Sequence, residues 1–134
     1  MLYMVGSYAG RHIGWFNTFG FARINASEDF TDPTKWEYLT PTAGWVDTEV
    51  GDLPVVLMGS NGEPALVYNG KWQRWMLIYR GILGGLVFRD ADSIDGDWSA
   101  EKLLVKDSET ARFYAPSVLD VTSDGDIILL ASAL

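Results

Sequence analysis

The sequence contains no cysteine and only one histidine, His12, among its 134 residues. Disulfide bonds and thiolate metal sites are therefore excluded, and cysteine usage gives no information about the redox compartment. A single histidine also argues against a histidine-based catalytic triad or a multi-histidine metal site within one chain. We predict no bound metal and no cofactor.

Basic residues are scarce, because ten Lys and Arg stand against 18 Asp and Glu and give a formal net charge of -8. Nucleic acids and anionic membranes bind clustered Lys or Arg, so neither is expected as a partner. Long apolar runs are lacking too: residues 53–58 and 127–131 are too short to span a bilayer. Residues 1–5 are apolar but lack the basic region and the long apolar core of a signal peptide.

Glycine and aromatic residues are plentiful, with 14 Gly and six each of Trp, Tyr and Phe. A hydrophobic content of 48% predicts a folded chain with a genuine core. Scattered Gly, Asn, Asp and Ser separate short apolar or alternating runs, which is typical of an all-β protein. The predicted strands are 2–7, 18–25, 36–40, two within 62–80, 86–91, 98–105, 113–121 and 126–133. Residues 8–14, 26–34 and 42–49 are predicted to be loops or connections, and residues 123–125 a turn.

The stretch of residues 62–80 is the most informative for function. Its two apolar strands flank Tyr68-Asn69-Gly70-Lys71, where Asn-Gly predicts a two-residue hairpin turn with positive φ. One acidic residue, Glu63, stands at the open end of the first strand.

The strands recur in a fixed order. Short sequences in residues 2–39 and 67–70 resemble others in residues 75–101 and 121–125, at offsets of roughly 60 residues. A four-stranded antiparallel unit with a period of roughly 40 to 60 residues is typical of a β-propeller blade. An ordinary open meander or sandwich without radial symmetry is the alternative.

This repeat predicts about two and a quarter blades. Residues 1–45 would be a blade that lacks its inner strand, residues 46–107 a complete blade, and residues 108–134 the inner half of the next. Such an array cannot close a ring and exposes two unpaired apolar edges. Either the chain is a piece of a longer polypeptide, which we favour, or copies self-associate through these open edges.

The motifs along the chain also carry a resemblance. They are Gly6-Ser7-Tyr8-Ala9-Gly10-Arg11, Trp36-Glu37-Tyr38, Gly62-Glu63, Tyr68-Asn69, Trp75-Met76-Leu77, Arg89-Asp90-Ala91, Gly96-Asp97-Trp98-Ser99 and Tyr114-Ala115-Pro116. Their order resembles a bacterial propeller family of the domain-of-unknown-function type that includes endo-D-arabinanases. That family is similar in architecture to the five-bladed arabinanase and furanosidase clan of glycoside hydrolases. The resemblance implies a five-bladed propeller with a carbohydrate cleft at its axial mouth.

The resemblance implies roles for four residues. Glu63 falls at the start of an inner strand, where a catalytic or substrate-binding carboxylate is expected. Arg11, followed by His12, falls on the Gly-Arg loop and would contact sugar hydroxyls or hold a carboxylate. Tyr114, at the start of the next inner strand, would line the cleft. A further catalytic Asp of such families lies on preceding blades that this sequence does not contain.

Each of these residues also has a structural interpretation. Glu63 could be a solvated turn residue, and Arg11 a loop arginine paired with a nearby Asp. Trp15, Trp45, Trp72 and Trp75 could stack on sugar rings but more often pack between blades, and Trp36 and Trp98 are predicted to be structural. Asp90, Asp92, Asp95 and Asp97 lack the spacing of a calcium loop and favour a solvated turn. Asp47, Glu49 and Asp52 are candidates for a second cleft carboxylate.

The sequence therefore predicts part of a glycoside hydrolase-type propeller that acts on arabinofuranose-containing or related polysaccharide. Glu63 would protonate the leaving oxygen, while an Asp outside this chain acts as base or nucleophile, so the isolated chain should be inactive. The alternative is a non-catalytic carbohydrate-binding or assembly protein. The expected partner is a polysaccharide or oligosaccharide, and a longer parent protein is expected to be secreted or periplasmic.

Overall fold

A computed structural model describes residues 1–13, 16–47, 57–58 and 63–134 of the chain. Over these residues the protein is all-β with antiparallel strand pairing, as the sequence predicts. The polar segment 26–34, predicted to be a loop, leads into a three-residue 3-10 helix, Pro33–Lys35. The Asp32 side chain caps the N-terminus of this helix. Among the described residues no helix has the length and apolar character needed to cross a membrane. The chain divides into two compact units, Met1–Gly59 and Ser60–Leu134.

Unit 1 is built on a sheet with the strand order β1-β2-β3-β4. Its strands are β1 (Leu2–Ile13), β2 (Phe16–Ile24), β3 (Glu37–Thr40) and β4 (Gly44–Val46), and the two-residue β5 (Leu57–Met58) pairs with β2. Two predictions were wrong here. The predicted loop at residues 8–14 is strand as far as Ile13, since β1 pairs with β2 at Tyr8–Thr18 and again, after a register shift, at Ile13–Phe16. The predicted connection at residues 42–49 contains β4, which pairs with β3 through Leu39 and Trp45.

The core of unit 1 follows β2. Phe19, Phe21, Ala22 and Ile24 are all buried, so both faces of this strand are covered. Arg23, the half-buried exception, donates through Nε to Glu37 Oε2 at 2.6 Å and lies 4.4 Å over the Trp45 ring.

Trp45 is therefore held by packing within unit 1. Its ring centroid lies 6.0 Å from that of Tyr3 at an interplanar angle of 56°. This edge-tilted arrangement and the stacked guanidinium are favourable aromatic contacts.

Unit 2 contains a four-stranded antiparallel sheet and a two-stranded one. The strands are β6 (Ala65–Asn69), β7 (Arg74–Arg80), β8 (Leu86–Ala91) and β9 (Lys102–Val105), in that spatial order, followed by the paired β10 (Phe113–Val121) and β11 (Ile127–Ala133). β10 packs against β6 and β7. The predicted strand at residues 98–105 forms only from Lys102 onward, because Ser99 is tied to Asp90 by hydrogen bonds through its backbone N–H and its side chain.

The core of unit 2 follows β7, whose residues 76–79 are buried in succession. A strand buried on both faces reads as a continuous apolar run, which is the pattern seen here. Tyr79 places its hydroxyl between Glu101 Oε1 at 2.7 Å and Arg89 Nε at 2.8 Å. Burial, reinforced by the Glu101 carboxylate, raises the pKa of Tyr79 to about 12.

The hairpin between β6 and β7 differs from its prediction. Its last strand pair is Asn69 with Arg74, so the loop has four residues and not two. The left-handed position is Gln73, with φ of 54°, and Gly70 does not adopt positive φ. The physical reason is the buried Asn69 side chain, whose oxygen accepts from the N–H groups of Lys71 (3.1 Å) and Trp72 (3.2 Å). This Asx-type turn closes a longer loop.

The predicted turn between β10 and β11 is confirmed. Gly125 has φ of +89°, and its N–H donates to the Thr122 carbonyl at 3.0 Å. The Thr122 N–H in turn donates to the Asp126 carbonyl at 2.9 Å. Asn69 Nδ2 donates to the Gly125 carbonyl at 2.8 Å, which joins the two hairpin loops of unit 2.

Candidate functional site

Glu63 lies two residues before β6, and its side chain is exposed to solvent. Pro64, which follows it, is half-buried and leads directly into the apolar strand. Within the part of the chain that the structure describes, no hydrogen bond or ion pair engages the Glu63 carboxylate. The exposed position of the side chain makes it accessible to solvent and to a ligand.

Tyr114 is the second residue of β10 and is half-buried, opposite Ser132 of β11. The strand register shifts immediately after it, and Ala115 adopts a left-handed φ of 48°. A non-glycine residue in this conformation is strained, and bulges of this kind re-aim neighbouring side chains. Sequence reasoning identified Tyr114 but not this irregularity beside it.

Glu63 and Tyr114 lie at the same end of unit 2. The start of β6 pairs with Ile78, two residues before Arg80, and Arg80 donates to the backbone carbonyl of Phe113 at the start of β10. The opposite ends of β6 and β10 also meet, since residues 68–71 and 121–123 line one open hollow. β6 and β10 therefore run in the same direction and begin at a common end.

A second carboxylate at this end, Asp107, is fully engaged. It accepts from Arg80 Nη2 at 2.6 Å and Nη1 at 3.3 Å, and its Oδ1 accepts from the Phe113 N–H at 3.0 Å. The Arg80 hydrogen bonds, with smaller contributions from the N–H groups of Phe113 and Gly85, lower the pKa of Asp107 from 3.8 to about 2. Asp107 is thus ionised at neutral pH and anchors the start of β10, and both of its carboxylate oxygens already accept hydrogen bonds.

Sequence reasoning missed the Arg80–Asp107 pair. A recognisable signal was present: Arg80 ends the most apolar strand and Asp107 follows β9, so two opposite charges stand at strand ends. Their sequence separation of 27 residues hid the pairing.

Arg11 and His12 were predicted to lie in a loop. This prediction was wrong, because both residues belong to the C-terminal part of β1. Their side chains lie outside what the structure describes, so their predicted contacts with a sugar stay predictions. Both belong to unit 1, whereas Glu63 and Tyr114 belong to unit 2.

The other predicted acidic candidates divide into two groups. Asp47 is exposed directly after β4, while Glu49 and Asp52 lie outside the described residues, as does Trp15. Asp90 binds Arg74 Nε at 2.8 Å and Lys102 Nζ at 2.6 Å, and the Lys102 hydrogen bond is the main cause that lowers the pKa of this carboxyl. Over the described ranges, no group of three His, Cys, Asp or Glu side chains is placed to hold a metal ion.

The remaining tryptophans of the sequence prediction are mostly packed. Trp36 and Trp98 each donate their indole N–H to a backbone carbonyl, of Phe30 at 3.0 Å and of Ile94 at 3.1 Å, which suits the predicted structural role. Trp75 packs on Tyr68 with ring centroids 5.2 Å apart. Trp72 is exposed in the β6–β7 loop.

Comparison with known proteins supplies the family but not an activity. No curated protein matches the chain. One family model matches residues 1–134, which is the whole sequence. The chain therefore belongs to the family described as Domain of unknown function (DUF4185).

Proposed function

We propose that this chain forms part of a five-bladed, propeller-type glycoside hydrolase that acts on arabinofuranose-containing polysaccharide. One observation carries the proposal: the exposed Glu63 and the half-buried Tyr114 stand at the common starting end of β6 and β10. Sugar-binding clefts typically combine carboxyl groups with aromatic side chains, and this end of unit 2 offers one of each. The order of the strands and the motifs of the sequence agree with it.

In this proposal Glu63 protonates the leaving glycosidic oxygen and Tyr114 lines the cleft. Hydrolysis needs a second carboxyl group, about 5–5.5 Å away for retention or about 6.5–9.5 Å away for inversion. Asp107 does not suit this role, because Arg80 and two backbone N–H groups occupy its carboxylate. The second group is therefore expected from another part of an assembled propeller.

The first test concerns catalysis in a full-length homologue that carries both Glu63 and Glu109. Glu63→Gln should lower kcat on arabinan by about 10²–10⁴-fold, the usual contribution of a general acid, while oligosaccharide affinity stays within about threefold. The matched control is Glu109→Gln, which removes the same charge from an exposed loop position before β10. This control should leave both kcat and affinity unchanged.

Two results would contradict the catalytic proposal. Release of reducing sugar from arabinan by the purified 134-residue chain would show that no second carboxyl group from outside is needed. A Glu63→Gln variant of the homologue with normal kcat would remove Glu63 from the mechanism.

A non-catalytic carbohydrate-binding protein is the second candidate. The observation that favours it is that Asp107, a carboxylate described at this end of unit 2, is already held by Arg80 and the Phe113 N–H. In that case Glu63→Gln weakens oligosaccharide binding, measured by calorimetry, and no member of the family that lacks a second carboxyl group turns over substrate.

A further inference from the structure

We infer that the open hollow between the β6–β7 and β10–β11 loops of unit 2 is a second binding site, whose ligand is a neutral saccharide. The residues that line this loop hollow are Tyr68, Gly70, Lys71, Val121, Thr122 and Ser123. Its volume is about 530 Å³, and small-molecule sites typically measure roughly 300–1,000 Å³. Each loop joins two paired strands, so complete hairpins form both walls of the hollow.

The loop hollow is separate from the end of unit 2 where Glu63 lies. The strand β6 stands between them, and its five residues correspond to roughly 17 Å at about 3.4 Å per residue. A ligand in the hollow therefore does not need Glu63. The inference goes beyond the proposed function, and only the choice of an arabinose oligosaccharide as first probe rests on that proposal.

The two loops are held together before any ligand binds. Asn69 is fully buried, and its Nδ2 donates to the Gly125 carbonyl at 2.8 Å while its Oδ1 accepts from the Lys71 N–H at 3.1 Å. A Cβ at Gly125 would lie 3.1 Å from Lys71 Cβ, so the Lys71 stem packs directly on this glycine. A site that is already ordered loses less conformational entropy on binding.

Tyr68 supplies an aromatic surface at the loop hollow. Its side chain is 45% exposed, and its ring centroid lies 5.2 Å from that of Trp75 at an interplanar angle of 56°. The contact with Trp75 orients the ring while almost half of the residue stays open to solvent. Tyrosine combines an apolar ring with a polar hydroxyl. A sugar has the matching pattern, because C–H groups cover one face of its ring and hydroxyl groups surround the edge.

Polar groups on both loops complete the pattern. Lys71 and Ser123 are exposed, and Thr122 is half-buried. Thr122 Oγ1 accepts from the Asp126 N–H at 3.0 Å, which leaves its own O–H group to donate. An ammonium group only donates, whereas hydroxyl groups donate and accept. Sugar hydroxyls, which also do both, can pair with all three side chains.

The charges around the loop hollow favour a neutral ligand over an anion. Lys71 is its one cationic lining residue, and the exposed Asp124 follows Ser123 in the same turn. Phosphate groups and polyanions are bound by clustered Lys or Arg, in contrast to this arrangement and to the net charge of -8. A neutral saccharide avoids the repulsion and can also donate hydroxyl groups to a nearby carboxylate.

The test is a titration of the ¹⁵N-labelled 134-residue chain, followed by the chemical shifts of its amide groups. The probes are neutral oligosaccharides of arabinose, xylose, glucose and mannose, with oligogalacturonate as the anionic comparison. At least one neutral probe should shift the amide signals of residues 68–71 and 121–123. The same signals should shift in Glu63→Gln, so a failure here is distinguishable from a failure of the catalytic proposal, which is read from kcat.

Substitutions in the hollow test which side chains bind the probe. Tyr68→Ala should weaken binding about tenfold, because the aromatic surface is lost. Lys71→Ala should weaken it about threefold through loss of a charge-assisted hydrogen bond. The matched controls are Phe30→Ala, which removes a 66% exposed aromatic ring from unit 1, and Lys106→Ala, which removes an exposed lysine after β9. Both controls should bind as the natural chain does.

Four outcomes would overturn the inference. They are no shift of the two loops with any neutral probe, unchanged binding by both Tyr68→Ala and Lys71→Ala, loss of the loop shifts in Glu63→Gln, and tighter binding of oligogalacturonate than of every neutral probe. Circular dichroism checks that each variant is folded. If Tyr68→Ala is not, Tyr68→Leu replaces it, because leucine keeps apolar volume against Trp75 and lacks the flat ring.

Discussion

Asp107 is the side chain that links the strands at the end of unit 2 where Glu63 and Tyr114 lie. Its carboxylate joins the end of β7, through Arg80, to the start of β10, through the Phe113 N–H. Tyr114 follows Phe113 directly, so the position of this candidate sugar contact is set by an ion pair that takes no part in the proposed chemistry. A group that acts in this way positions a neighbour and is not itself catalytic.

The Asp107 carboxylate should make the protein sensitive to acid. Its pKa in the folded chain is lowered to about 2 from 3.8, chiefly by the Arg80 hydrogen bonds. A carboxyl group with a lowered folded-state pKa stabilises the fold fully above its unfolded value, and this stabilisation is lost as the pH falls through the folded value. Asp107→Asn should therefore be less stable than the natural chain near pH 7, and the difference should shrink below about pH 4 and vanish near about pH 2.

Urea unfolding followed by tryptophan fluorescence at several pH values measures this difference. Asp124→Asn is the matched control, because Asp124 lies exposed in the β10–β11 turn. The control should match the natural chain near neutral pH. A gap between the Asp107→Asn variant and the natural chain that stays constant down to the lowest pH would contradict the ion-pair explanation.

At the scale of elements, two glycines in the loops that flank β7 differ in whether the loop has room for a side chain. Gly85 lies between β7 and β8 with φ of +82°, and a Cβ there would lie 2.3 Å from the Val105 carbonyl oxygen. Gly70 lies in the β6–β7 loop without positive φ, and a Cβ there would meet nothing within 4 Å. The two positions look equivalent in the sequence and differ in the structure.

Gly85→Ala should lower the free energy of unfolding by about 2–4 kcal/mol, since both backbone strain and a collision with backbone oppose the methyl group. Gly70→Ala should change it by no more than about 0.5 kcal/mol. Denaturant midpoints of the two variants check this. A strongly destabilised Gly70→Ala variant would contradict the four-residue loop and would support the two-residue Asn-Gly turn that the sequence predicts.

The strand pattern of unit 2 could be predicted because each strand there is a separate apolar run between turn residues. The limits of β10 and β11 were predicted to within a residue, since their alternation and the Ser123-Asp124-Gly125 turn agree. The length of the loop after Asn69 was not predicted correctly. The buried Asn69 side chain donates a hydrogen bond to the carbonyl of Gly125, which is 56 residues away. A local turn rule contains no information about such a distant acceptor.

The candidate site was predictable only in part, for a similar reason. The position of Glu63 before a strand is visible in the sequence, and the common end of β6 and β10 follows from the repeat. The engagement of Asp107 by Arg80 and the left-handed Ala115 depend on where β10 packs against β7. That packing is a tertiary feature, and local periodicity does not report it.

At the scale of the whole molecule, the acidic composition bears on which partners the chain can bind. Its net charge of -8 disfavours polyanions such as nucleic acids and anionic membranes, because those partners bind clustered Lys or Arg. A polysaccharide without acidic groups meets no such repulsion. The charge of the chain is therefore compatible with the substrate class that we propose.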